Sequence, residues 1–287
     1  MEAKKPNSAK ALQPGNNVRG VKNAFFIILA CFVVAVLLFL FVFGHPSHFD
    51  AEGFDGVSMW FAGEEFAKAH PLDLIGTIFK GGIIVPILQT LFLTVIVISV
   101  ERYFALRSAK GNGSITKFVA DVRKCLAAND IAGAKALCAK QRGSVAAVVN
   151  QALIRYEEMD QNTVLSKEQK IATIQKEVEE AMAMEMPSLQ QNLPIVATLT
   201  TLGTLVGLLG TVMGMIKSFQ ALSASGAPDS TELSTGISEA LVNTAFGIAT
   251  GAFAVISYNY YSNKIDNLTY AIDEIGFTIV QSFAATH

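Results

Sequence analysis

Four long segments of this chain lack Asp, Glu, Lys and Arg, and they limit its possible folds more than any other feature. These segments lie between Lys22 and Asp50, Lys80 and Glu101, Glu185 and Lys217, and Glu239 and Lys264. About 20 apolar residues in an α-helix cross the hydrocarbon core of a bilayer, which is about 30 Å thick. Each segment is long enough to do so. We therefore predict an all-α, polytopic helical membrane protein with four transmembrane helices.

The composition supports this fold class and argues against several functions. Hydrophobic residues make up 51% of the chain and charged residues 16%, with a net charge of −2 and no basic patch that would suggest nucleic acid as a partner. No metal-ligand spacing relates the three cysteines, which are Cys31, Cys125 and Cys138. No motif combines a catalytic nucleophile with a general base, and the histidines lie in the first loop and at the end of the chain. We expect no metal, no cofactor and no enzymatic activity.

Basic residues predict the orientation, because lysine and arginine are enriched in cytoplasmic loops. Residues 1–22 contain five basic side chains and one glutamate, and we interpret them as a disordered basic cytoplasmic tail. The loop 44–79 contains six acids and one lysine, whereas residues 101–185 contain thirteen basic residues. The first of these regions is expected in the periplasm and the second in the cytoplasm, so both termini are cytoplasmic.

The charge pattern and the apolar periodicity together divide the chain. After the tail we predict a transmembrane helix at 23–43, a periplasmic loop at 44–79, a transmembrane helix at 80–100, a cytoplasmic helical domain at 101–190, a transmembrane helix at 191–217, a periplasmic loop at 218–235, a transmembrane helix at 236–263, and a C-terminal cytoplasmic helix at 264–287. Long helices are expected to extend from the membrane into the cytoplasmic domain.

Several local features refine this division. Aromatic residues among acids over 54–69 favour an amphipathic helix at the membrane interface, and an ordinary loop that covers the bundle is an equally good interpretation. Pro86 predicts a kink in the second transmembrane helix. Ser166 and Gln169 have the spacing of a capping box, and the helix that they start is expected to continue unbroken into the third transmembrane helix.

Small residues form a stripe on the third and fourth transmembrane helices. The spacing predicts that one face of the third helix contains Gly203, Gly207, Gly210 and Gly214, and the fourth helix contains Gly247 and Gly251. Small residues allow helix backbones to approach closely in lipid, where no hydrophobic force acts between helices. We predict that these glycines serve helix packing.

Uncharged polar side chains accompany the glycines and indicate a lined path. Among them are Thr200, Thr201, Thr204, Thr211, Asn243, Thr244, Thr250 and Ser257. Hydroxyl groups do not titrate near neutral pH, and no Asp, Glu, Lys or His lies deep in either helix, since Glu239 is at the outer end of the fourth. If the protein moves protons, the central carboxylate must therefore come from another chain.

The third and fourth helices also resemble a known family. The stretches "NLPIVATLTTLGTLVGLLGTVMGMIKSF" (192–219) and "GISEALVNTAFGIATGAFAVISYNYY" (236–261) are similar to the two signature helices of the MotA/TolQ/ExbB proton-channel family, and most similar to its ExbB/TolQ branch. A weaker similarity extends to "EVEEAMAMEMPSLQQ" (177–191), "ERYFALRSAKG" and "NDIAGAKALCAK".

The resemblance implies a bacterial inner-membrane motor subunit of a Gram-negative-type cell. It implies a homopentamer around two single-span partners of the ExbD/TolR type, which supply a transmembrane aspartate. The proton motive force would be converted into mechanical work on a TonB-like or TolA-like protein. Carried over to this chain, Thr211 and Thr244 are pore-facing hydroxyls, Glu239 is the acidic residue that opens the last helix, and both helices line the pore.

Three departures from the family pattern bear on this interpretation. Gly203-Thr204 replaces a frequent Ala-Pro, which makes Thr204 a further candidate lining residue, and Ala252-Phe253-Ala254 replaces a frequent Ile-Pro-Ala. The helix at 23–43 is additional to the three that are common in the ExbB branch. An ExbB-like subunit for outer-membrane uptake remains the expectation. The alternatives are a TolQ-like subunit for envelope integrity, a motility-motor stator and, from a different class, a passive membrane scaffold.

Overall fold

The computed structural model describes residues 23–63, 66, 69–225 and 230–286. The predicted basic tail at 1–22 lies outside the described residues, as do residues 64, 65, 67 and 68 of the predicted amphipathic helix, residues 226–229 of the second loop, and His287. The described chain forms two units. We call residues 23–100 and 192–259 the membrane unit, and residues 101–191 and 260–286 the bundle unit.

The described residues are mainly helical. The helices are α1 (Ala24–Leu37, continued as a π-helix over Leu38–Phe43), α2 (Leu74–Lys80), α3 (Ile84–Lys110), α4 (Ile115–Ala127), α5 (Ile131–Gln141), α6 (Gly143–Gln161), α7 (Lys167–Leu189), α8 (Leu193–Ser225) and α9 (Ser230–Thr286). Short 3-10 turns occur at Pro46–His48 and Met59–Phe61. Two short strands, β1 (Phe49–Asp50) and β2 (His70–Pro71), pair antiparallel.

Four helical stretches are long and apolar enough to cross a membrane. They are Ala24–Phe43, Ile84–Ala127, Leu193–Gln220 and Gly236–Thr286, with mean hydropathies of 3.4, 2.1, 1.8 and 1.6. This confirms the predicted fold class, an all-α polytopic membrane protein. The predicted fourth transmembrane helix and C-terminal helix are parts of one continuous helix, α9.

All four long helices contribute to one apolar cluster in the membrane unit. Cys31 of α1 packs with Ile98 of α3, Val196 of α8 and Ala254 of α9. Because these residues are buried, α1 is part of the packed unit, although most of its large side chains remain exposed as expected for contact with lipid.

The loop between α1 and α2 packs around the ring of Phe79. The Phe79 ring lies 4.6 Å from Phe39, 5.6 Å from Phe49 and 5.3 Å from Phe66, measured between centroids. Within 54–63 only the 3-10 turn Met59–Phe61 is helical, so the amphipathic helix predicted for 54–69 is wrong over these residues. The alternative, a covering loop, describes them correctly. The reason is tertiary, since Met59 is buried in the apolar cluster of Phe79 and Phe54 packs against it, whereas Phe61 remains exposed.

Two expectations about helix continuity are also wrong. Pro86 is the third residue of α3, and no kink arises there because an N–H in the first turn of a helix lacks an intrahelical partner in any case. The helix that begins at Lys167 ends at Leu189, and Asn192, with φ of 62°, separates it from α8. Pro194 lies in the first turn of α8, where proline is tolerated.

The bundle unit follows the sequence more closely. Positive φ angles at Asn129 and Arg142 mark the breaks between α4, α5 and α6. The capping box is confirmed, because Ser166 accepts from the Gln169 backbone N–H while the Gln169 side chain accepts from the Ser166 N–H. Burial raises the pKa of the Cys138 thiol to about 12, which makes it inert at neutral pH.

Glu185 is a buried acid in α7 and carries a prediction about stability. Glu185 is 6% exposed, and its Oε2 atom has no hydrogen-bond partner in the part of the chain that the structure describes. Burial raises the pKa of the Glu185 carboxyl, and the nearby Ser144 hydroxyl offsets this only in part. Because the folded state then binds the proton more tightly than the unfolded state, stability falls as the pH rises from the ordinary pKa through the raised one.

We therefore expect Glu185→Gln to stabilise the protein at pH 8 by about 1–3 kcal/mol, because glutamine carries no charge and the desolvation penalty of a buried polar group is larger when it is charged. The gain should vanish at pH 4, where the carboxyl is protonated in both states. Thermal unfolding of the purified chain in detergent, followed by circular dichroism, measures this difference. Glu179→Gln, an exposed change on the same helix, is the control. A lower melting temperature for Glu185→Gln at pH 8 would contradict the prediction.

Candidate functional site

Helices α8 and α9 of the membrane unit meet along a seam of small residues. A β-carbon added at Gly207 would lie 2.9 Å from the Gly247 Cα, and one added at Gly247 would lie 2.7 Å from the Gly207 Cα. Because β-carbons do not approach backbone atoms so closely, this crossing point requires glycine on both helices. The two backbones are therefore in direct contact, as small residues permit in membranes.

The other glycines of the stripe also face the opposite helix. An added β-carbon would lie 2.9 Å from Thr250 Cγ2 at Gly203, 2.6 Å from Asn243 Cβ at Gly210, 2.7 Å from Ala240 Cβ at Gly214 and 2.8 Å from the Thr200 carbonyl at Gly251. The seam thus extends over the four glycines of α8 and the two of α9.

Thr211 and Thr244 face each other across this seam. Their hydroxyl groups are hydrogen-bonded to each other, and both residues are half-buried. Each hydroxyl also lies within hydrogen-bond distance of the Gly207 carbonyl oxygen, at 3.3 Å from Thr211 and 3.1 Å from Thr244. A hydroxyl has one proton and two lone pairs, so only one of the two can donate to the carbonyl while the other donates to its neighbour. If the two hydroxyls exchange these roles, the direction of the hydrogen bond between them is reversed.

The other two candidates of the predicted path lie on either side of this pair. Thr204 is seven residues before Thr211, about 10 Å along a helix, and a β-carbon at Gly251 would lie 2.8 Å from its Oγ1. Glu239 is five residues before Thr244 and is half-buried. Its carboxylate interacts electrostatically with Lys80 and Lys217. The four residues therefore follow one another along the helix pair.

Other hydroxyls of the two helices bond within their own helix. Thr250 donates to the Phe246 carbonyl at 2.8 Å, and Thr200 donates to the Ala197 carbonyl at 2.6 Å. Because these bonds satisfy the hydroxyls within their own helix, Thr200 and Thr250 do not extend the hydrogen-bonded pair of Thr211 and Thr244. The polar connection between the helices is concentrated at Thr211 and Thr244.

Asn243 is a buried polar residue next to Thr244. Its hydrogen-bond partner could not be predicted from the sequence. Asn243 is 3% exposed, and its Nδ2 donates to the Gly81 carbonyl at 3.3 Å, which ties α9 to the turn between α2 and α3. Its Oδ1 has no hydrogen-bond partner within the described ranges. The contact joins residues 162 positions apart, so no local pattern could have indicated it.

The chemistry open to this site is limited by what the helices lack. No Asp, Glu, Lys or Arg occurs between Glu239 and Lys264 or between Glu185 and Lys217. Among the residues that the structure describes, no group of three or more His, Cys, Asp or Glu side chains could hold a metal ion. The site offers hydroxyls, a carbonyl and an amide, which pass a proton between donors and acceptors but do not bind it near neutral pH.

Comparison with known proteins is consistent with this site. Residues 141–274 match the sequence profile of the MotA/TolQ/ExbB proton channel family, which confirms the expected resemblance. The Tol-Pal system protein TolQ of Haemophilus influenzae is 36% identical over 86 residues, which is 30% of this chain and 38% of that protein. The biopolymer transport protein ExbB of Xanthomonas campestris is 26% identical over 111 residues, 39% of this chain and 44% of that protein.

A third relative, the biopolymer transport protein ExbB of Helicobacter pylori, is 37% identical over 81 residues, 28% of this chain and 56% of that protein. The chain thus spans between 38% and 56% of the length of these curated relatives. The family match includes both helices of the seam, whereas α1, the following loop and α3 precede it.

Proposed function

We propose that this protein is an ExbB-like motor subunit, because residues 141–274 match the sequence profile of the MotA/TolQ/ExbB proton channel family. It converts the proton motive force into mechanical work on a TonB-like protein and so energises active transport across an outer membrane. The observation that carries the proposal is the Thr211–Thr244 hydroxyl pair, which shares the Gly207 carbonyl in the interior of two helices without central charges.

The pair acts as a relay that depends on a carboxylate from a second chain. A proton that crosses 100 mV gains about 2.3 kcal/mol, but this energy does work only if a group binds and releases the proton on the way. The hydroxyls of Thr211 and Thr244 reorient and pass a proton without retaining it. In our proposal, a transmembrane aspartate of a single-span partner of the ExbD/TolR type takes up the proton beside the pair and releases it after the two chains have moved.

The proposed assembly is a pentamer of this chain around such partners in the inner membrane of a Gram-negative-type cell. The distribution of basic residues supports an orientation with the bundle unit in the cytoplasm. Glu239 and its two lysine neighbours then lie at the periplasmic end, where protons enter. Thr204, farther toward the cytoplasm, is a candidate for the next hydroxyl of the path.

A TolQ-like role is the second candidate, and the 36% identity to the Haemophilus influenzae TolQ favours it as directly as the ExbB similarities favour the first. The two roles differ in the protein that receives the work. Deletion of the gene distinguishes them, because an ExbB-like subunit is needed for energised uptake and a TolQ-like subunit for resistance to detergent and bile salts. Loss of detergent resistance with normal uptake would contradict the ExbB-like role and support the TolQ-like one.

For Glu239→Gln we expect energised uptake to fall by roughly fivefold to tenfold, the factor that about 1–1.4 kcal/mol gives. The change keeps the shape of the side chain but removes the ionisable carboxyl group that interacts with Lys80 and Lys217. Uptake by cells that express the variant at the normal level measures the effect. Asp266→Asn, an exposed change on the same helix, is the control, and equal uptake by both variants would contradict a role for Glu239.

A further inference from the structure

A cavity of about 990 Å³ in the bundle unit is strongly basic. The end of α3, α4 and residues 260–274 of α9 form its walls. Five of its lining residues are cations and one is an acid, Glu274. The cations are Arg107, Lys110, Arg123, Lys124 and Lys264. Several like charges around one cavity repel one another, and a bound anion removes this cost.

Four of the five cations of the cavity have no ion-pair partner among the described residues. Lys124 lies 3.7 Å from a carboxylate oxygen of Asp121, while the other four cations form no ion pair with a described residue. Arg107 instead donates to the Tyr103 hydroxyl at 3.4 Å, and Lys264 lies 5.4 Å from the centre of the Tyr260 ring. These contacts orient the two side chains and leave their charges available to a ligand.

The beginning of α4 adds backbone donors to the same cavity. Ser114, Ile115 and Thr116 line it, and the Ser114 side chain makes no capping hydrogen bond. The first N–H groups of a helix have no intrahelical partner, and together with the helix dipole they favour an anion such as phosphate. The cavity therefore offers cationic side chains and helix amides together.

The cavity also has an apolar part, which argues for more than a simple anion. Leu106, Val119 and Leu268 line it and are buried. Sites for whole small molecules have volumes of about 300–1,000 Å³, so one phosphate group would leave most of this space empty. A ligand that matches the cavity carries a phosphate-type anion on an apolar body.

Several lining residues lie at the ends of the predicted membrane-spanning segments. Tyr103 and Arg107 are three and seven residues beyond Val100 in α3, and Tyr260 and Tyr261 precede Lys264, where the charge-free stretch of α9 ends. Tyrosine rings and basic side chains at such positions occupy the head-group region of a bilayer. We propose that this cavity binds the head group of an anionic phospholipid from the leaflet on the side of the bundle unit.

Native mass spectrometry of the full-length chain in detergent tests this proposal, with phosphatidylglycerol or phosphatidylcholine added. We expect the wild type to retain phosphatidylglycerol in excess over phosphatidylcholine. The double variant Arg107→Gln, Lys264→Gln should bind phosphatidylglycerol roughly 10- to 30-fold more weakly, given the contribution of each basic residue near anionic lipid. The control Lys167→Gln, Lys176→Gln removes two exposed charges outside the cavity and should leave binding unchanged.

A second variant acts by volume rather than by charge. Ala120 lines the cavity and is exposed to it, so Ala120→Trp should displace the lipid with all five cations still present. Thermal unfolding followed by circular dichroism checks that each variant is folded. The native mass spectra also report the oligomeric mass. Because lipid retention is measured rather than proton flux, the result does not depend on the proposed function.

Several outcomes would overturn the proposal. Equal loss in the control double variant would indicate unspecific attraction between charges. Displacement of the lipid by millimolar inorganic phosphate would assign the cavity to a soluble anion. A change in oligomeric mass in the cavity variants, with lipid retention unchanged, would indicate that a second copy of this chain covers the cavity.

Discussion

We expect Thr211→Val to lower proton flux through the proposed complex of this chain and a single-span partner by about 100-fold, the scale on which positioned proton-transfer groups act. Valine has nearly the shape of threonine but has no hydroxyl. The variant therefore breaks the only hydrogen bond between the Thr211 and Thr244 side chains and leaves the glycine seam in place. A hydrogen bond between membrane helices contributes about 0.6 kcal/mol, so assembly should survive the change.

Two further variants distinguish the loss of the Thr211 hydroxyl from other effects of the substitution. Thr211→Ser keeps the hydroxyl and should retain most of the flux. Thr198→Val on the same helix removes a hydroxyl that donates to the Pro194 carbonyl at 2.9 Å, and we expect normal flux from it. The measurement is the decay of a pH gradient in liposomes that contain equal amounts of each assembled variant. Wild-type flux from Thr211→Val would refute the pore role assigned to this residue.

Gly247→Val should destabilise the membrane unit strongly. The new β-carbon would lie 2.6 Å from the Gly203 carbonyl oxygen and 2.7 Å from the Gly207 Cα, and neither backbone atom can move without separating α8 from α9. Overpacking of this kind costs about 3 kcal/mol or more, which lowers the melting temperature by about 10 °C in a chain of this size.

The control for this variant is Ala249→Val, two residues away on the exposed side of α9. We expect its melting temperature to stay within about 1–2 °C of the wild type, since surface changes usually cost less than about 0.5 kcal/mol. Thermal unfolding of the purified chains in detergent gives both values. A melting temperature for Gly247→Val equal to that of the control would contradict the close approach of the two helices. Unlike Thr211→Val, Gly247→Val should lose stability and function together.

The features that depend only on the residues of a single helix could be predicted from the sequence. The four spans follow from the charge-free segments, and the box at Ser166 and Gln169 follows from local hydrogen-bond chemistry. The glycine spacing indicated a small-residue face, and the structure adds which partner each glycine meets. Gly207 and Gly247 approach each other through their Cα atoms, a detail that needs the crossing angle and register of both helices.

The errors occurred where tertiary contacts override local pattern. The aromatic residues of 54–69 suggested an interfacial helix, but Phe54 packs against the apolar cluster of Phe79, which is outside that segment, and the Trp60 ring lies 6.4 Å from the Phe79 ring. The break before α8 depends on a positive φ at Asn192, and the sequence signals nearby, Pro187 and Pro194, do not mark that position. The basic cavity combines residues from α3, α4 and α9, so its charges are separated in the sequence.

The central claim is that the helix pair relays protons but does not hold them, so flux requires a carboxylate from another chain. The direct test is the decay of a pH gradient in liposomes that contain this chain alone, compared with liposomes that contain the chain together with the proposed single-span partner. We predict that the chain alone leaks no faster than empty liposomes and that the complex dissipates the gradient, unless the partner's aspartate is replaced by asparagine. Dissipation by the chain alone at the rate of the complex would contradict the claim.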